Sequence, residues 1–504
     1  MNTALLLEMA AGALGDRPAM GLASSSVTYE ELWARAKAAA AMLARLEADN
    51  VVHIGLNSPA VPLAIFASGL LGRPFAPLNY RLPDEDLRRL LARTAPATAI
   101  VDDDMAPRVS GVPGVEIMPR SQFEAGAAAG AEQEHDLPPA EPDIAVLLFT
   151  SGTTGEPKAA ILRHRHLASY VISTVEFAGA EDGEAALVCV PPYHIAGVSA
   201  VLTGVYGGRR IVHLPAFTAD AWVEAAVSEG ITHAMVVPTM LGRILDVLEA
   251  RGEPLPRLHS LSYGGGRMPP SVIERALNHL PHVNFVNAYG LTETSSTICV
   301  LRPDDHRAAR ASDDPAVRRR LGSVGRPLPG LELDIRGPDG EVMPHGEAGE
   351  VWVRGEQISG EYLGRKLIRD DGWFPTKDSG WLDEAGYLFI EGRLDDVIVR
   401  GGENISPGEI EDALRTHPAV ADVAVLGAPD DDWGERVVAV VVTRAPAGSD
   451  ELKAWVRGRL RSTKVPSDIL FRTELPYNDT GKLLRRVLKA QVVSAQPQRD
   501  AMAG

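Results

Sequence analysis

The run Thr150-Ser151-Gly152-Thr153-Thr154-Gly155-Glu156-Pro157-Lys158 combines hydroxyls, glycines and a lysine, which is what a chain of phosphates needs from a turn. Gly152 and Gly155 allow close backbone approach, successive N–H groups form an anion nest, and Lys158 adds charge. The spacing is not GxxxxGK[ST], so this is not a Walker A loop. Ordinary surface loops share the composition. What favours the phosphate reading is the continuous apolar run from Ile144 to Phe149 immediately before it, which reads as a buried strand. The chain around it is acidic: among 504 residues, 50 Lys and Arg stand against 67 Asp and Glu, a net charge of −17. Such a chain lacks the broad basic surface that non-specific nucleic-acid binding requires, so nucleic acid is not an expected partner. An anionic ligand must be met by a few placed cations and backbone N–H groups.

The loop resembles the phosphate-binding signature of the adenylate-forming superfamily, which holds acyl- and aryl-CoA synthetases, amino-acid adenylation domains and luciferases. Further motifs follow in the family's order over nearly the whole chain. Pro191-Pro192-Tyr193-His194-Ile195-Ala196-Gly197 is similar to a segment that lines the acyl pocket, with His194 as a positioning residue. Gly264-Gly265-Gly266 is similar to the Gly-Gly-Ala bend beside the adenine, with Gly in place of Ala and Arg267 where Pro is common. Asn287-Ala288-Tyr289-Gly290-Leu291-Thr292-Glu293-Thr294 matches the Tyr-Gly-x-Thr-Glu motif closely. The resemblance implies that Tyr289 stacks on adenine, Thr292 meets a phosphate oxygen and Glu293 offers Mg²⁺ a hard carboxylate oxygen. Thr376-Lys377-Asp378 stands where Thr-Gly-Asp is usual; Asp378 is expected to hold both ribose hydroxyls and Arg393 to meet ribose or phosphate oxygens. Asp395 takes the position of the family's hinge. Gly401, Gly402 and Glu403 resemble the turn that lines the pantetheine channel, and a plain hairpin turn has the same appearance. Asn478-Asp479-Thr480-Gly481-Lys482-Leu483-Leu484-Arg485 matches the C-terminal motif whose lysine, here Lys482, neutralises charge at the α-phosphate.

The implied chemistry splits one hard condensation into two easier steps. A carboxylate attacks the α-phosphate of ATP, giving acyl-AMP and pyrophosphate; a thiol then attacks the acyl carbonyl and AMP leaves. ATP, Mg²⁺ and coenzyme A are the expected cofactors. Amino-acid-activating relatives place an Asp beside the pocket aromatic to pair with the substrate ammonium. That neighbour is Ile195 here, and an unpaired ammonium against it is heavily penalised, so an amino acid is not expected. Tyr193, Val198, Val237, Thr239, Met240 and Gly264 are the candidate acyl-pocket residues. They are mostly apolar, which favours a hydrophobic monocarboxylic acid, whether fatty, aromatic, alicyclic or sterol-derived; fatty-acid and lipid metabolism is the expected setting. Two alternatives are an acyl-AMP ligase that delivers its product to a separate carrier protein and a non-catalytic nucleotide-binding homologue.

The elements that must position these groups read as an α/β protein. A large N-terminal domain (1–394) of mainly parallel sheets flanked by helices carries the AMP and acyl sites. A small mobile α+β domain (395–504) carries Lys482. Tyr29 to Leu46 has helical periodicity behind a Thr28/Glu31 capping box, Val51 to Leu56 and Thr98 to Val101 read as strands, and Pro62 to Leu71 as a helix. Ala125 to Pro139 reads as a connector and the charged stretch Pro303 to Arg320 as an exposed loop. Glu350 to Val353 and Tyr387 to Glu391 suggest a smaller antiparallel region, and Val423 to Leu426 and Val437 to Val442 suggest Val-rich strands. The uncharged stretch Ala185 to Gly208 is broken by Pro191-Pro192 and reads as a strand then a packed helix, not a membrane span. Cys189 and Cys299 lie in apolar runs and read as small buried hydrophobes. The expected location is the cytoplasm, and assembly into a homo-oligomer is compatible with the sequence.

Overall fold

The computed structural model describes residues 1–137, 143–150, 157–430, 432–477 and 483–494. Its contacts divide the chain into two compact units. The first comprises Met1–Leu321, Gly325–Glu332 and Val353–Phe374; the second comprises Gly322–Val324, Leu333–Trp352 and Pro375–Gly504.

Among the described residues the first unit is built on two sheets, one of nine strands and one of eight. In the eight-stranded sheet Asn50–Ile54 lies between Phe75–Pro77 and Ala97–Val101, parallel to both. Val115–Pro119 extends the parallel run on one side and Ile144–Thr150 on the other. The helix Ala60–Leu71 is the crossover between Asn50–Ile54 and Phe75–Pro77, and the helix Tyr29–Ala44 packs against it. The latter has its capping box, with the Glu31 N–H donating to Thr28 Oγ1 at 3.2 Å and the Thr28 N–H to Glu31 Oε2 at 2.8 Å. In the nine-stranded sheet, Ala185–Val188, His233–Val236, Ser260–Gly264 and Asn284–Leu291 run parallel in register, as their βαβ connections demand. A large apolar cluster contains residues of both sheets, among them Val51, Phe75, Val146, Val188 and Ile211, and so joins them.

Two segments fold differently from what their composition suggests. Arg120–Gly130 is a helix that takes up the first part of the supposed connector from Ala125, because Phe123 and Ala127 bury one face. The charged stretch from Pro303 is not a loop: Pro303–Ala311 and Pro315–Arg318 are helices. Its opposite charges fall at helical spacing, as in the Asp304–Arg307 pair at 2.7 Å, and His306 is buried with Nε2 at 2.8 Å from the Tyr263 hydroxyl. The stretch from Ala185 is the strand Ala185–Val188 followed by the helix Ile195–Gly207. Among the described residues no helix is long and apolar enough to cross a membrane. Both cysteines are buried; burial pushes the Cys189 thiol up to about 12 and raises that of Cys299 as well.

The second unit holds most of a four-stranded sheet in the order Glu332–Arg336, Gly349–Arg354, Phe374–Leu382, Leu388–Arg393. It also holds a five-stranded sheet centred on the long antiparallel pair Val420–Asp430 and Gly434–Thr443. Valine fills the middle of that pair, with Val423, Val425, Val437 and Val441 fully buried beneath the helices Pro407–Arg415 and Ser449–Arg457.

Candidate functional site

The strand Ile144–Thr150 and the antiparallel strand Lys158–Arg163 form the two stems of the candidate phosphate loop, with Thr150 opposite Lys158. The Thr150 hydroxyl donates to the Lys158 carbonyl at 3.4 Å. Ser151, Gly152, Thr153, Thr154 and Gly155 lie outside the described residues, as does Lys482. Arg93, which sequence reading passed over, donates to the Pro157 carbonyl at 2.7 Å and lies 5.5 Å from the Phe149 ring centroid, so one guanidinium touches both stems.

On the neighbouring sheet Ser260–Gly264 and Asn284–Leu291 are parallel, with Tyr263 opposite Asn287 and Gly264 opposite Ala288. The approach is so close that a methyl on Gly264 would overlap the Ala288 carbonyl oxygen. Gly265 has φ +77°, a region that glycine enters without strain. At Gly266 a methyl would meet only Pro238 at 3.9 Å, so the glycine there leaves room that alanine would partly fill. Arg267 is exposed beside it.

Asn287, 8% exposed, and Tyr289 lie on the strand, which shifts register against Ser296–Leu301 between Tyr289 and Gly290. Pairing resumes past the bulge, with Gly290 opposite Thr297 and Leu291 opposite Ser296, and Thr292–Thr294 closes the hairpin as a 3₁₀ turn that presents Thr292 and Glu293. Ser295 and Ser296 follow at φ +55° and +102°, a strained exit for non-glycine residues. Buried Gln357 braces this exit, donating to the carbonyls of Thr294 at 3.0 Å and Thr297 at 2.7 Å. The N–H groups of Ser359 and Gly360 each donate to the Glu293 carbonyl at 2.9 Å, and the Tyr362 hydroxyl donates to Glu293 Oε1. None of these bracing residues belongs to a catalytic pattern in the sequence. Only contacts between segments more than fifty residues apart identify them, as in the 69-residue separation of Tyr362 and Glu293.

In the second unit Asp378 and Arg393 are cross-strand partners. Arg393 Nη1 donates to Asp378 Oδ1 and to the Thr376 carbonyl, both at 3.1 Å. Asp378 is 5% exposed, whereas Lys377 is exposed and has φ +64°. The lysine side chain therefore points away from the buried carboxylate, and its N–H is satisfied by Glu350 Oε1 at 3.1 Å. Asp395 is exposed in the short turn Leu394–Asp396. Gly401 and Gly402, at φ +57° and +84°, form a two-residue hairpin between Arg400 and Glu403, and the Gly401 N–H donates to the Trp433 carbonyl at 2.8 Å. Arg485, just beyond Lys482, donates to the Val425 carbonyl and to buried Glu411, both at 2.6 Å, which moors the end of that motif.

The candidate acyl-pocket residues do not share one apolar cluster. Tyr193 packs edge-on against Tyr80 at 5.7 Å, Val198 lies in the core joining the two sheets, and Val237 and Met240 belong to a third cluster with Tyr263. His194 stands at the position before the helix Ile195–Gly207, and Thr239 lies half-buried in the first turn of Pro238–Arg251.

Among the described residues no three His, Cys, Asp or Glu side chains converge as a metal cage. One oriented carboxylate at Glu293 is a donor set that fits Mg²⁺, which keeps several waters and takes phosphate oxygens alongside one or two carboxylates.

Comparison with known proteins agrees with this geometry. A family model described as AMP-binding enzyme matches residues 7–363, and one described as AMP-binding enzyme C-terminal domain matches residues 409–482. The chain is 35% identical over 447 residues to a feruloyl-CoA synthase of Amycolatopsis sp., covering 87% of each. It is 32% identical over 486 residues to a 2-succinylbenzoate–CoA ligase of Bacillus cereus, covering 95% of this chain and 96% of the relative. The o-succinylbenzoate CoA synthetase of Bacillus subtilis in complex with its acyl-adenylate intermediate superposes with a TM-score of 0.82 at 28% identity, covering 96% of this chain and 97% of that one. The same synthetase has been seen with ATP and a magnesium ion, and superposes with a TM-score of 0.81. The chain belongs to the AMP-binding enzyme family, the adenylate-forming superfamily that contains the acyl- and aryl-CoA ligases.

Proposed function

We propose that this enzyme is an AMP-forming acid–CoA ligase whose substrate is a hydrophobic monocarboxylic acid with an aromatic ring. The observation that carries the reading is the frame around Glu293. The strand that begins with Lys158 and the turn that presents Glu293 are held by one segment, residues 359–362, so a phosphate cation and a metal carboxylate are set by the same backbone. Support for an aromatic acid comes from the named relatives, a feruloyl-CoA synthase and a 2-succinylbenzoate–CoA ligase, and from Val237 and Met240, which are uncharged and share one apolar cluster.

In this reading Tyr289 stacks on adenine beside the bend Gly264–Gly266, with Asn287, Ala288 and Gly290 shaping the same wall. Asp378 accepts the ribose hydroxyls, with Arg393 already on one of its oxygens. Thr150, Ser151, Gly152, Thr153, Thr154, Gly155, Lys158 and Thr292 receive the phosphates. Mg²⁺, held by Glu293, supplies charge neutralisation at the phosphates when bound. Lys482 holds the attacking carboxylate and offsets the charge that develops on the α-phosphate. The carboxylate oxygen bonds to phosphorus as pyrophosphate leaves. The coenzyme A sulfur, having lost its proton, then bonds to the acyl carbon as AMP leaves. Tyr193, His194 and Thr239 border the acyl group, and Gly401, Gly402 and Glu403 line the thiol's approach. The segment from 395 to 504 turns about Asp395 between the two half-reactions.

Pyrophosphate release with ATP and Mg²⁺ across aromatic, fatty and alicyclic acids, each with and without coenzyme A, tests the reading. Turnover that requires coenzyme A and is fastest with an aryl acid supports it. Release indifferent to coenzyme A points to a carrier-protein acceptor instead, and preference for a fatty acid removes the aromatic assignment. Lys482→Ala is expected to lower acyl-AMP formation by about 10²–10³-fold, the scale for loss of one transition-state charge contact, while thioester formation from supplied acyl-AMP persists. Equal loss of both half-reactions would sink the turning about Asp395.

A further inference from the structure

Tyr362 lies on the short strand Glu361–Tyr362, which pairs antiparallel with Lys158–Arg163 and sets Tyr362 opposite Ala160. Successive strand side chains point to opposite faces. On one face Glu361 is gripped by Arg163, whose Nη2 donates to both carboxylate oxygens at 2.8 Å and whose Nε donates at 3.0 Å. On the other, Tyr362 gives its hydroxyl hydrogen to Glu293 Oε1. The chain just upstream holds the same residue by its backbone, with the N–H groups of Ser359 and Gly360 on the Glu293 carbonyl, while Ser359 Oγ donates to the Ile161 carbonyl of the phosphate-loop strand.

We propose that Tyr362 is a positioning residue that aims the Glu293 carboxylate at the divalent cation of the ATP complex, with the Arg163–Glu361 pair fixing the strand it stands on. The inference rests on the reading of Glu293 as the metal carboxylate. A carboxylate that binds a cation without a second acidic partner loses rotamer freedom when it does so. A hydroxyl on Oε1 removes that freedom in advance and leaves Oε2 and a further Oε1 lone pair for the cation. The phenol bears no charge of its own, so it orients the ligand without cancelling it. Partners of this kind are worth about 10–100-fold in metal affinity. The arrangement also couples two charges by construction: Lys158 and Tyr362 stand on paired strands, so the phosphate cation and the metal carboxylate keep one spacing.

Calorimetric titration of the full chain with ATP, once with Mg²⁺ and once with EDTA, tests this. Tyr362→Phe is expected to lose about 10-fold of the tightening that Mg²⁺ confers, with the affinity for ATP in EDTA unchanged within about twofold. Glu293→Ala serves as the reference and is expected to lose the tightening altogether. Full tightening in Tyr362→Phe alongside its loss in Glu293→Ala overturns the role of Tyr362 and leaves Glu293 standing. An equal loss with and without Mg²⁺ also overturns it, since that marks a packing defect. Tightening that survives in Glu293→Ala, or is missing from the unaltered chain, removes the Glu293 reading and this inference with it.

Discussion

At Gly264–Gly266 the chain has more glycine than the family pattern asks for, and at Thr376–Asp378 it has a lysine where the pattern has glycine. The geometry differs as sharply as the composition. Gly264 faces a neighbouring strand so closely that any Cβ meets the Ala288 carbonyl oxygen, although its φ is not in the left-handed region. Lys377 is in the left-handed region, at φ +64°, but its side chain is exposed and its N–H has a partner in Glu350. A close approach between two backbones excludes every other residue, because neither backbone can yield without unpairing its sheet. A left-handed φ only costs about 1–2 kcal/mol, which a folded protein absorbs when the side chain has somewhere to go. This is why a departure at Lys377 leaves the Asp378–Arg393 pair intact.

The comparison breaks first at Gly264. Gly264→Ala forces apart Ser260–Gly264 and Asn284–Leu291, and is expected to cost about 3 kcal/mol, the upper end for overpacking, with loss of ATP affinity; urea unfolding and ATP titration measure both. A fully stable, ATP-binding Gly264→Ala would show that the approach yields. Lys377→Gly acts in the opposite direction. Relief of the left-handed penalty, less the greater freedom glycine has when unfolded, leaves a gain of about 0.5–1 kcal/mol, read as a raised urea midpoint with KM for ATP unchanged. A loss of stability would mean that the lysine makes a contact worth more than its backbone cost. Gly266→Ala is expected to move stability by less than about 0.5 kcal/mol, since its methyl has open contact with Pro238. Its readout is the acid profile: a shift toward smaller acids places Gly266 on the acyl pocket, and an unchanged profile removes it.

The same contrast explains which parts of the site were legible beforehand. Motifs whose function sits in consecutive residues could be read from order and spacing. The loop stems at Thr150 and Lys158, the Tyr289–Glu293 segment and the Gly401–Gly402 hairpin all occupy the local structure their residue types require. The strands and helices of the first third appear where expected for the same reason, since a capping box or a continuous apolar run acts within a few residues. Charge density misled at Pro303–Arg320, where opposite charges at helical spacing and a buried His306 made helices of an apparent loop.

By itself the sequence determined that this is an acidic α/β protein with a Ser/Thr/Gly-rich loop after a buried strand, and which local motifs carry charge and hydroxyls. Only the tertiary structure decided how those groups are held: Asp378 against Arg393, Glu293 beneath Tyr362, Arg93 across both loop stems, and Arg485 on Glu411. It also decided that Tyr193, Val198 and Val237 belong to different apolar clusters. The physical reason is range. Periodicity, caps and turns arise between near neighbours in the chain. A side chain's partner across 60 or 74 residues, as for Arg485, exists only after sheets have paired and the cost of closing those loops has been met by apolar burial.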